Sequence, residues 1–394
     1  MSDKICFVVQ RYGLEVNGGA ELLCRLFAEK MRAMYEIDVL TTKAKDYVTW
    51  KDEYTSNDEI INEIHVIRFP VAATRDLNIF NNINNVFHAG NLPLERESEW
   101  IEKQGPYCPE LIKYLEKHQF EYKVIIFFTY LYYPTVMGIK SVSQKSIIMP
   151  FAHDEPYFRM HIFDDMFTNI DGIVYSTEEE RKFIQNKYKN NKVPFVIGGS
   201  GIDLPETIDG KRFREKYNIS DYIVYTGRID VDKNCNELFE FFSLYKQRNP
   251  NNLKLVLMGK SSIPIPQTKD IVFLGFVSDQ DKFDGIAGAK ALVLPSKFES
   301  LSMVVLEAMS VHTNVIVNGE CTVLKGHCKK SNGAFYYNNF FEFEGELNYL
   351  LNPKNAEVVA QMKENAKAYV DKYYQWDAIT KRLHNLIEEI CEIK

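Results

Sequence analysis

The sequence has 394 residues, of which 45% are hydrophobic and 26% charged, and its formal net charge is −7. This composition is typical of globular domains and excludes a disordered or coiled-coil chain. At about 100–200 residues per domain, the length predicts two domains, or three at most, and the acidic balance disfavours a nucleic-acid-binding protein, which usually carries a basic bias.

The seven cysteines are scattered along the chain and form no C-x-x-C pair. This usage indicates free thiols in a reducing compartment better than a disulfide framework or a zinc site. No signal-peptide pattern stands at the first residues, and no apolar run reaches the roughly 18 residues that span a bilayer. We therefore expect a cytoplasmic protein whose contact with a membrane, if it has one, is peripheral and at the inner face.

Apolar segments with strand character alternate with predicted helices along the first half. Several are almost continuous Ile, Val and Phe, which is typical of parallel strands covered on both faces. The predicted strands are Ile5–Gln10, Ile37–Thr41, Ile64–Phe69, Val124–Thr129, Ser146–Phe151, Gly172–Ser176 and Phe195–Gly198, and the predicted helices are Gly19–Met34, Pro109–His118, Tyr133–Lys140 and Glu178–Asn186. The Asn-rich segment 76–104 fits no such pattern, and we interpret it as an insertion, because such loops often carry specificity.

The second half repeats the alternation after a predicted linker at Gly199–Asp221. Its predicted strands are Tyr222–Thr226, Leu253–Gly259, Ile271–Gly275, Ala291–Pro295 and Asn314–Val317, and its predicted helices are Asn236–Arg248, Asp279–Gly288, Leu301–Ser310, Pro353–Tyr373 and Trp376–Ile393. Two such runs predict two doubly wound α/β domains. In such sheets, ligands bind beyond the carboxyl ends of the strands.

A glycine-containing turn follows the first predicted strand, where Asn17, Gly18 and Gly19 precede a helix. Glycine lets backbone amides approach a phosphate or a sugar closely, and a helix N-terminus favours anions. The spacing matches neither G-x-G-x-x-G nor a P-loop. An ordinary loop before a helix is an equally good interpretation of this turn.

Two cations follow the first strand of the second half, Arg228 and Lys233. Arginine as a planar fork and lysine as a point charge can clamp a diphosphate and stabilise a leaving group without a metal. A solvated basic turn is the alternative. Asp230 and Asp232 between them match a short D-x-D metal motif, which we weigh far below the diphosphate interpretation because they share the loop with the cations.

The strongest pattern follows the buried strand at Ala291–Pro295, where Glu299 lies on a loop and Glu307 lies on the next helix. Apolar residues surround Glu307, and a buried carboxylate is costly unless donors satisfy it. A sugar or ribose diol offers two such donors, and the amides of Ser300 to Met303 can meet a hydroxyl or a phosphate. A glutamate that reaches solvent from the helix edge is the alternative.

Two weaker features lie in the first half. His153 follows a predicted strand and can reach a sugar or a phosphate oxygen, although most single histidines are structural or on the surface. The cations Arg181, Lys182, Lys187, Lys189 and Lys192 interleave with Phe183 and Tyr188. They predict either a surface that meets anionic lipid headgroups or a solvated helix.

Together these motifs resemble the GT-B glycosyltransferases, specifically family 4, the retaining group. The residues that carry the resemblance are Gly18-Gly19-Ala20-Glu21, His153-Asp154, Gly199–Asp203, Gly227-Arg228 with Lys233, Gly259, Gly275–Ser278, and Pro295-Ser296 with Glu299 and Glu307. The resemblance implies two Rossmann-like domains facing a cleft, with the last helix crossing back to the first domain. It implies an acceptor-side domain at 1–202 plus 374–394 and a donor-binding domain at 203–373.

The resemblance also implies the roles of the residues. The diphosphate would lie on Arg228 and Lys233, the ribose on Glu307, and the donor sugar on Glu299 with the amides of Ser300, Leu301, Ser302 and Met303. Gly227, Gly259, Phe276 and Val277 would border the nucleotide, Gly18 and Gly19 would shape the diphosphate and acceptor side, and His153 would approach the anomeric carbon.

The implied activity is retaining transfer from a nucleotide-diphosphate sugar, with a UDP-sugar favoured, to a hydroxyl of a glycan, lipid-linked or protein-linked acceptor. The implied setting is cell-surface polysaccharide synthesis, with no metal or other cofactor required. Where many relatives have Gly-Leu-Pro after the first Glu, this chain has the stretch Ser300-Leu301-Ser302-Met303-Val304. A GT-B sugar-nucleotide epimerase and a non-catalytic nucleotide-sugar-binding paralogue are the alternatives.

Overall fold

The structure, a computed structural model, describes residues 3–16 and 18–392. The chain divides into two compact units, one that runs to Gly199 and resumes at Ile379, and one that comprises Ser200–Ala378. Each unit is built on its own sheet. Within the described ranges, no helix combines the length and the apolar character needed to cross a bilayer.

The first unit has an eight-stranded sheet in the order β3-β4-β2-β1-β5-β6-β7-β8, parallel except where β3 pairs with β4. Its strands are β1 (Lys4–Val8), β2 (Glu36–Thr42), β3 (Asp58–Ile61), β4 (Ile64–Phe69), β5 (Ile125–Phe128), β6 (Ser146–Met149), β7 (Gly172–Tyr175) and β8 (Phe195–Ile197). Strands β5, β6 and β7 are buried at every position, as expected of central parallel strands with helices on both faces.

The helices of this unit each bury one apolar stripe. They are α1 (Gly19–Met31), α2 (Leu77–His88), α3 (Glu97–Gln104), α4 (Pro109–His118), α5 (Tyr133–Ser141), α6 (Asp164–Thr168) and α7 (Glu178–Tyr188). In α1, for example, Leu23, Phe27 and Met31 recur every four residues and are buried, which is the spacing of one helix face.

The second unit has a six-stranded sheet in the order β11-β10-β9-β12-β13-β14, with every pairing parallel. Its strands are β9 (Tyr222–Thr226), β10 (Lys254–Met258), β11 (Ile271–Gly275), β12 (Ala291–Leu294), β13 (Asn314–Asn318) and β14 (Phe335–Tyr337). Its helices are α8 (Gly210–Tyr217), α9 (Cys235–Arg248), α10 (Asp279–Gly288), α11 (Met303–Ser310), α12 (Thr322–Ser331), α13 (Phe340–Leu351) and α14 (Ala356–Tyr373).

The last helix, α15 (Trp376–Glu392), returns to the first unit. Glu388 on this helix accepts from the Nζ atom of Lys123 at 2.7 Å and from the hydroxyl of Tyr35 at 2.9 Å. The predicted fold class, two Rossmann-like α/β domains with a returning final helix, is therefore confirmed. The cleft between them stays a prediction, and Ile393, the predicted end of the helix, lies outside the described residues.

The predicted linker at Gly199–Asp221 is wrong in part, because α8 occupies residues 210–217. The side chain of Asp209 caps this helix by accepting from the amide of Lys211 at 2.8 Å, and Phe213 is buried in the core of the second unit. The charged residues that suggest a linker form the solvent-facing side of an amphipathic helix.

Candidate active site

Two glycines bring the loops after β9 and β10 into contact at the carboxyl edge of the second sheet. Gly227 and Gly259 have φ angles of 141° and 143°, a region that residues with a Cβ atom rarely adopt. A Cβ atom at Gly259 would collide with the carbonyl of Gly227. Both positions therefore favour glycine, and at Gly259 its lack of a Cβ atom lets the two loops meet.

The loop after β9 carries the two predicted diphosphate-binding cations. Arg228 is 55% exposed, and its Nη1 atom lies 2.9 Å from Oδ2 of Asp230. Oδ1 of Asp230 accepts from the amide of Lys233 at 2.8 Å, so Asp230 uses both oxygens within its own turn. Among the described residues, no group of three or more His, Cys, Asp or Glu is arranged to hold a metal ion.

Lys233 joins this turn to the loop after β12. Its Nζ atom lies 2.6 Å from Oε1 of Glu299, and both side chains are largely buried. The structure thus brings together a predicted diphosphate ligand and a predicted sugar ligand that are 66 positions apart in the chain. The ion pair holds the Glu299 carboxylate in one place beside the loop after β9.

The segment from Glu299 to Met303, the donor loop, leads into the N-terminus of α11. Ser302 at the helix cap has φ 67° and ψ 75°, in the left-handed region. Residues with a Cβ atom adopt this region less often than glycine, so the serine holds an uncommon backbone conformation. The Ser302 hydroxyl is buried and has no hydrogen-bond partner within the described residues, so a ligand at this helix end meets an unsatisfied polar atom.

Glu307 lies on α11 and is paired. Its Oε1 atom lies 2.8 Å from Nζ of Lys282 on α10, and its side chain is 15% exposed. A lysine therefore satisfies one oxygen of the carboxylate. The second oxygen remains to accept from ligand hydroxyls, and the predicted ribose contact of Glu307 stays a prediction.

Aromatic and apolar surface borders the same edge after β11. Gly275 has a φ of 70°, and the next residue, Phe276, is 65% exposed. Val277 is half-buried and packs on the core of the unit. An exposed ring at a strand end gives the plane on which a nucleobase can stack.

In the first unit, the turn before α1 is arranged around Glu21. Its Oε1 atom accepts from Nε of buried Arg11 at 2.9 Å, and its Oε2 atom lies where a Cβ atom of Gly18 would be. The carboxylate of Glu21 therefore already lies at the positive, N-terminal end of α1, beside Gly18. Gly19 has open space around it, and Asn17 lies outside the described residues.

His153 follows β6, after Phe151 with φ 51°. The amide of Ala152 donates to Oε1 of Glu180 at 2.6 Å, and burial raises the pKa of Glu180 to about 8. Nε2 of His153 lies 3.9 Å from Oε1 of Glu155. The His153 side chain is half-buried, in a turn at the carboxyl edge of the first sheet.

The comparisons with known proteins agree with this geometry. Residues 209–369 match the family Glycosyl transferases group 1, and this range contains every predicted donor-site residue of the second unit. The match covers less than half of the chain, and it is a likeness of the second unit to this family. One relative, an uncharacterised glycosyltransferase from Methanocaldococcus jannaschii, is 25% identical over 207 residues, which are 46% of this chain and 49% of the relative. The chain thus matches about half the length of this curated relative.

Solved structures resemble the whole chain. Sucrose-phosphate synthase from Thermosynechococcus elongatus is 14% identical with a TM-score of 0.73, covering 99% of this chain and 100% of that one. HepE from Anabaena, in complex with UDP and glucose, is 14% identical at 0.71, covering 98% and 99%. A trehalose-6-phosphate structure from E. coli, bound with UDP-2-fluoro glucose, is 11% identical at 0.71, covering 99% of each chain. These likenesses show that the chain has the GT-B fold.

Sequence reasoning missed the partners of the predicted residues. Lys282 contacts Glu307 and His327, which is described below, contacts Leu301, each from another helix, and Arg11 contacts Glu21 from the loop before α1. No spacing along the chain indicates such a contact. Glu21 alone among these contacts had a signal in the sequence. It is the third residue of α1, and a glutamate at that position often reaches back to the N-terminal cap of its helix.

The two glycines of the first turn give a matched pair of variants. We expect Gly18→Ala to lower the melting temperature, because its Cβ atom would displace the Glu21 carboxylate. Gly19→Ala meets nothing and should leave the melting temperature unchanged, while lowering kcat/KM about tenfold if a ligand lies against this backbone, as about 1.4 kcal/mol of lost contact implies. Thermal unfolding and initial rates test this pair; full activity of folded Gly19→Ala would remove Gly19 from the ligand site.

Proposed function

We propose that this protein transfers a sugar, with retention, from a UDP-sugar to a hydroxyl of a saccharide, polymer, lipid-linked or protein-linked acceptor. The observation that carries the proposal is the gathering of Arg228, Lys233, Glu299 and Glu307 on one sheet edge within the family-matched range. The UDP and UDP-sugar complexes of the structural neighbours support uracil as the base. Synthesis of a cell-surface glycan is the setting that we propose for this reaction.

The predicted roles form one coherent donor site. Arg228 and Lys233 bind the diphosphate, Glu307 accepts from the ribose hydroxyls, and Glu299 with the amides of the donor loop binds the sugar. Gly227 and Gly259 border the nucleotide, and the base lies against Phe276 and Val277. The donor-binding domain is then 203–373. The acceptor-side domain, 1–202 plus 374–394, contributes Gly18, Gly19 and His153, and segment 76–104 contributes to the choice of acceptor.

The reaction needs few groups from the protein. The bond between the anomeric carbon and the leaving phosphate oxygen breaks while the acceptor oxygen bonds to the same face of the sugar. The acceptor proton passes to the leaving phosphate. Negative charge grows on the diphosphate in the transition state, so Arg228 and Lys233 stabilise the transition state more than the ground state. Because these two cations neutralise that charge, the proposal assigns no metal or other cofactor.

We place the reaction in the cytoplasm, with contact at the inner membrane face through the basic helix α7. Lys182 on α7 and Lys189 and Lys192 in the turn after it are exposed, while Arg181 is paired with Glu178 and Lys187, although exposed as well, donates to the carbonyl of Phe158. We therefore assign the contact with lipid headgroups to Lys182, Lys189 and Lys192. Unchanged sedimentation with anionic vesicles after replacing these three would remove the membrane contact.

A hydrolysis screen of UDP-, GDP- and ADP-sugars, with and without chelator, tests the function. We expect one or more UDP-sugars to be hydrolysed slowly in chelator and UDP to raise the melting temperature by mass action. Hydrolysis that depends strictly on a divalent ion would contradict the metal-free mechanism. Binding of UDP with neither hydrolysis nor transfer would indicate a non-catalytic paralogue, and release of an epimerised sugar would indicate an epimerase.

A further inference from the structure

A buried histidine forms a hydrogen bond with the backbone of the donor loop. His327 on α12 is 1% exposed, and its Nε2 atom lies 2.7 Å from the carbonyl oxygen of Leu301 in the middle of the donor loop. Its Nδ1 atom lies 3.0 Å from the hydroxyl of Tyr369 on α14. The imidazole thus bridges the donor loop and the helix that covers this side of the sheet.

The partners assign the direction of each hydrogen bond. The Leu301 carbonyl can only accept, so Nε2 of His327 carries the proton. In that tautomer Nδ1 accepts, and the hydroxyl of Tyr369 donates to it. The hydroxyl of Tyr374 lies 3.0 Å from that of Tyr369 and can donate in turn. A chain of donors therefore runs from Tyr374 through Tyr369 and His327 to the donor loop.

His327 contacts the donor loop at the Leu301 carbonyl, between two residues of the proposed sugar site. Leu301 lies between Glu299, which contacts Lys233, and Ser302, whose backbone is left-handed. Side chains hold the backbone at two carbonyls. Asn234 donates at 3.2 Å to the carbonyl of Pro295, which precedes the donor loop, and His327 donates to the carbonyl of Leu301 within the loop. Loss of the second contact would let Glu299 and the amides after it move, and a shift of about 1 Å at a binding group can cost about 10²-fold in rate.

We propose that His327 is a positioning residue for the donor loop, acting through the Leu301 carbonyl, and that Tyr369 selects the tautomer that makes this contact. The proposal rests on the proposed function, which assigns the donor loop to the sugar. It adds that the support of this loop is a directional hydrogen bond, since packing alone would not require a donor at Nε2 and an acceptor at Nδ1.

Three variants separate the hydrogen bonds from packing. In His327→Gln, the side-chain amide can donate to Leu301 and its oxygen can accept from Tyr369, so we expect kcat and donor KM to stay within about threefold of wild type. His327→Leu keeps apolar volume and removes both contacts, so kcat/KM for the donor should fall about 10- to 100-fold, as loss of one or two such bonds implies. Tyr369→Phe should fall between the two.

The measurements are donor kcat and KM, with the melting temperature and the UDP-induced shift of each variant. Folded His327→Leu with wild-type kcat and KM would overturn the proposal, as would His327→Gln that loses as much as His327→Leu. If His327→Leu does not fold, wild-type kinetics of both Tyr369→Phe and a folded His327→Ala would overturn it. Wild-type protein that neither binds UDP nor turns over a UDP-sugar would instead refute the proposed function.

Discussion

Replacing Arg228 and Lys233 together by Ala is expected to lower kcat/KM for the UDP-sugar by about 10²- to 10³-fold, the cost of removing preorganised groups that meet charge developing in the transition state. Both residues lie on the loop after β9, and Lys233 also fixes Glu299. Loss of Lys233 therefore removes a diphosphate ligand and releases a sugar ligand. Initial rates at several donor concentrations measure the effect.

Arg248→Ala is the matched control for this experiment. Arg248 is 51% exposed and is paired with Glu344, much as Arg228 is 55% exposed and is paired with Asp230. It ends α9, however, and so lies at the opposite edge of the sheet from the candidate site. We expect this control to keep full activity. A double variant at Arg228 and Lys233 that keeps wild-type turnover would show that the diphosphate binds elsewhere.

Glu307→Gln is expected to weaken UDP binding by about 10- to 100-fold, since hydrogen bonds to a charged group contribute about 1.5–3 kcal/mol. The amide accepts at one atom only, and it removes the nearer of the two carboxylates beside the ammonium of Lys282, with Asp279 remaining at 3.7 Å. The loss should be smaller for 2′-deoxy-UDP, which lacks one of the ribose hydroxyls. Calorimetric titration with both nucleotides gives the two affinities.

Glu344→Gln provides the same charge change at a glutamate of similar exposure, 13% against 15% for Glu307. Its partner is Arg248, away from the candidate site, so we expect unchanged affinity for both nucleotides. If Glu307→Gln weakens UDP and 2′-deoxy-UDP by the same factor, the carboxylate does not bind the 2′-hydroxyl.

The strands that carry the site could be predicted, because buried parallel strands have an unmistakable composition. Ile64–Phe69, Tyr222–Thr226 and Ile271–Gly275 were predicted at their observed bounds. The positions of the loops at the carboxyl ends of the strands follow from the parallel topology. Arg228 and Glu299 could therefore be placed on one edge of the sheet before any side-chain contact was known.

Elements with a weak pattern were missed. Strand β3 is a half-exposed edge strand with the sequence DEII, and α12 contains Gly326 and several lysines among its apolar residues. Segment 76–104 holds α2 and α3, which pack on each other through the aromatic ring of Trp100. Local sequence is ambiguous in such places, and tertiary packing decides the conformation.

The side chains that contact the predicted site residues could not be predicted either, and the reason is different. Lys282 and His327 contact Glu307 and Leu301 from helices that are distant in sequence, and no periodicity within one segment reports a contact between two segments. The carboxylate of Glu307 could be recognised as buried and costly, but the lysine that satisfies it is visible only in the folded structure.

A crystal structure with UDP bound, grown in chelator, tests the central claim most directly. The account predicts the diphosphate within hydrogen-bond distance of Arg228 and Lys233, the ribose hydroxyls on the Glu307 carboxylate, and the base against Phe276. UDP bound away from the carboxyl edge of the second sheet, or held there through a metal ion in place of the two cations, would contradict the account.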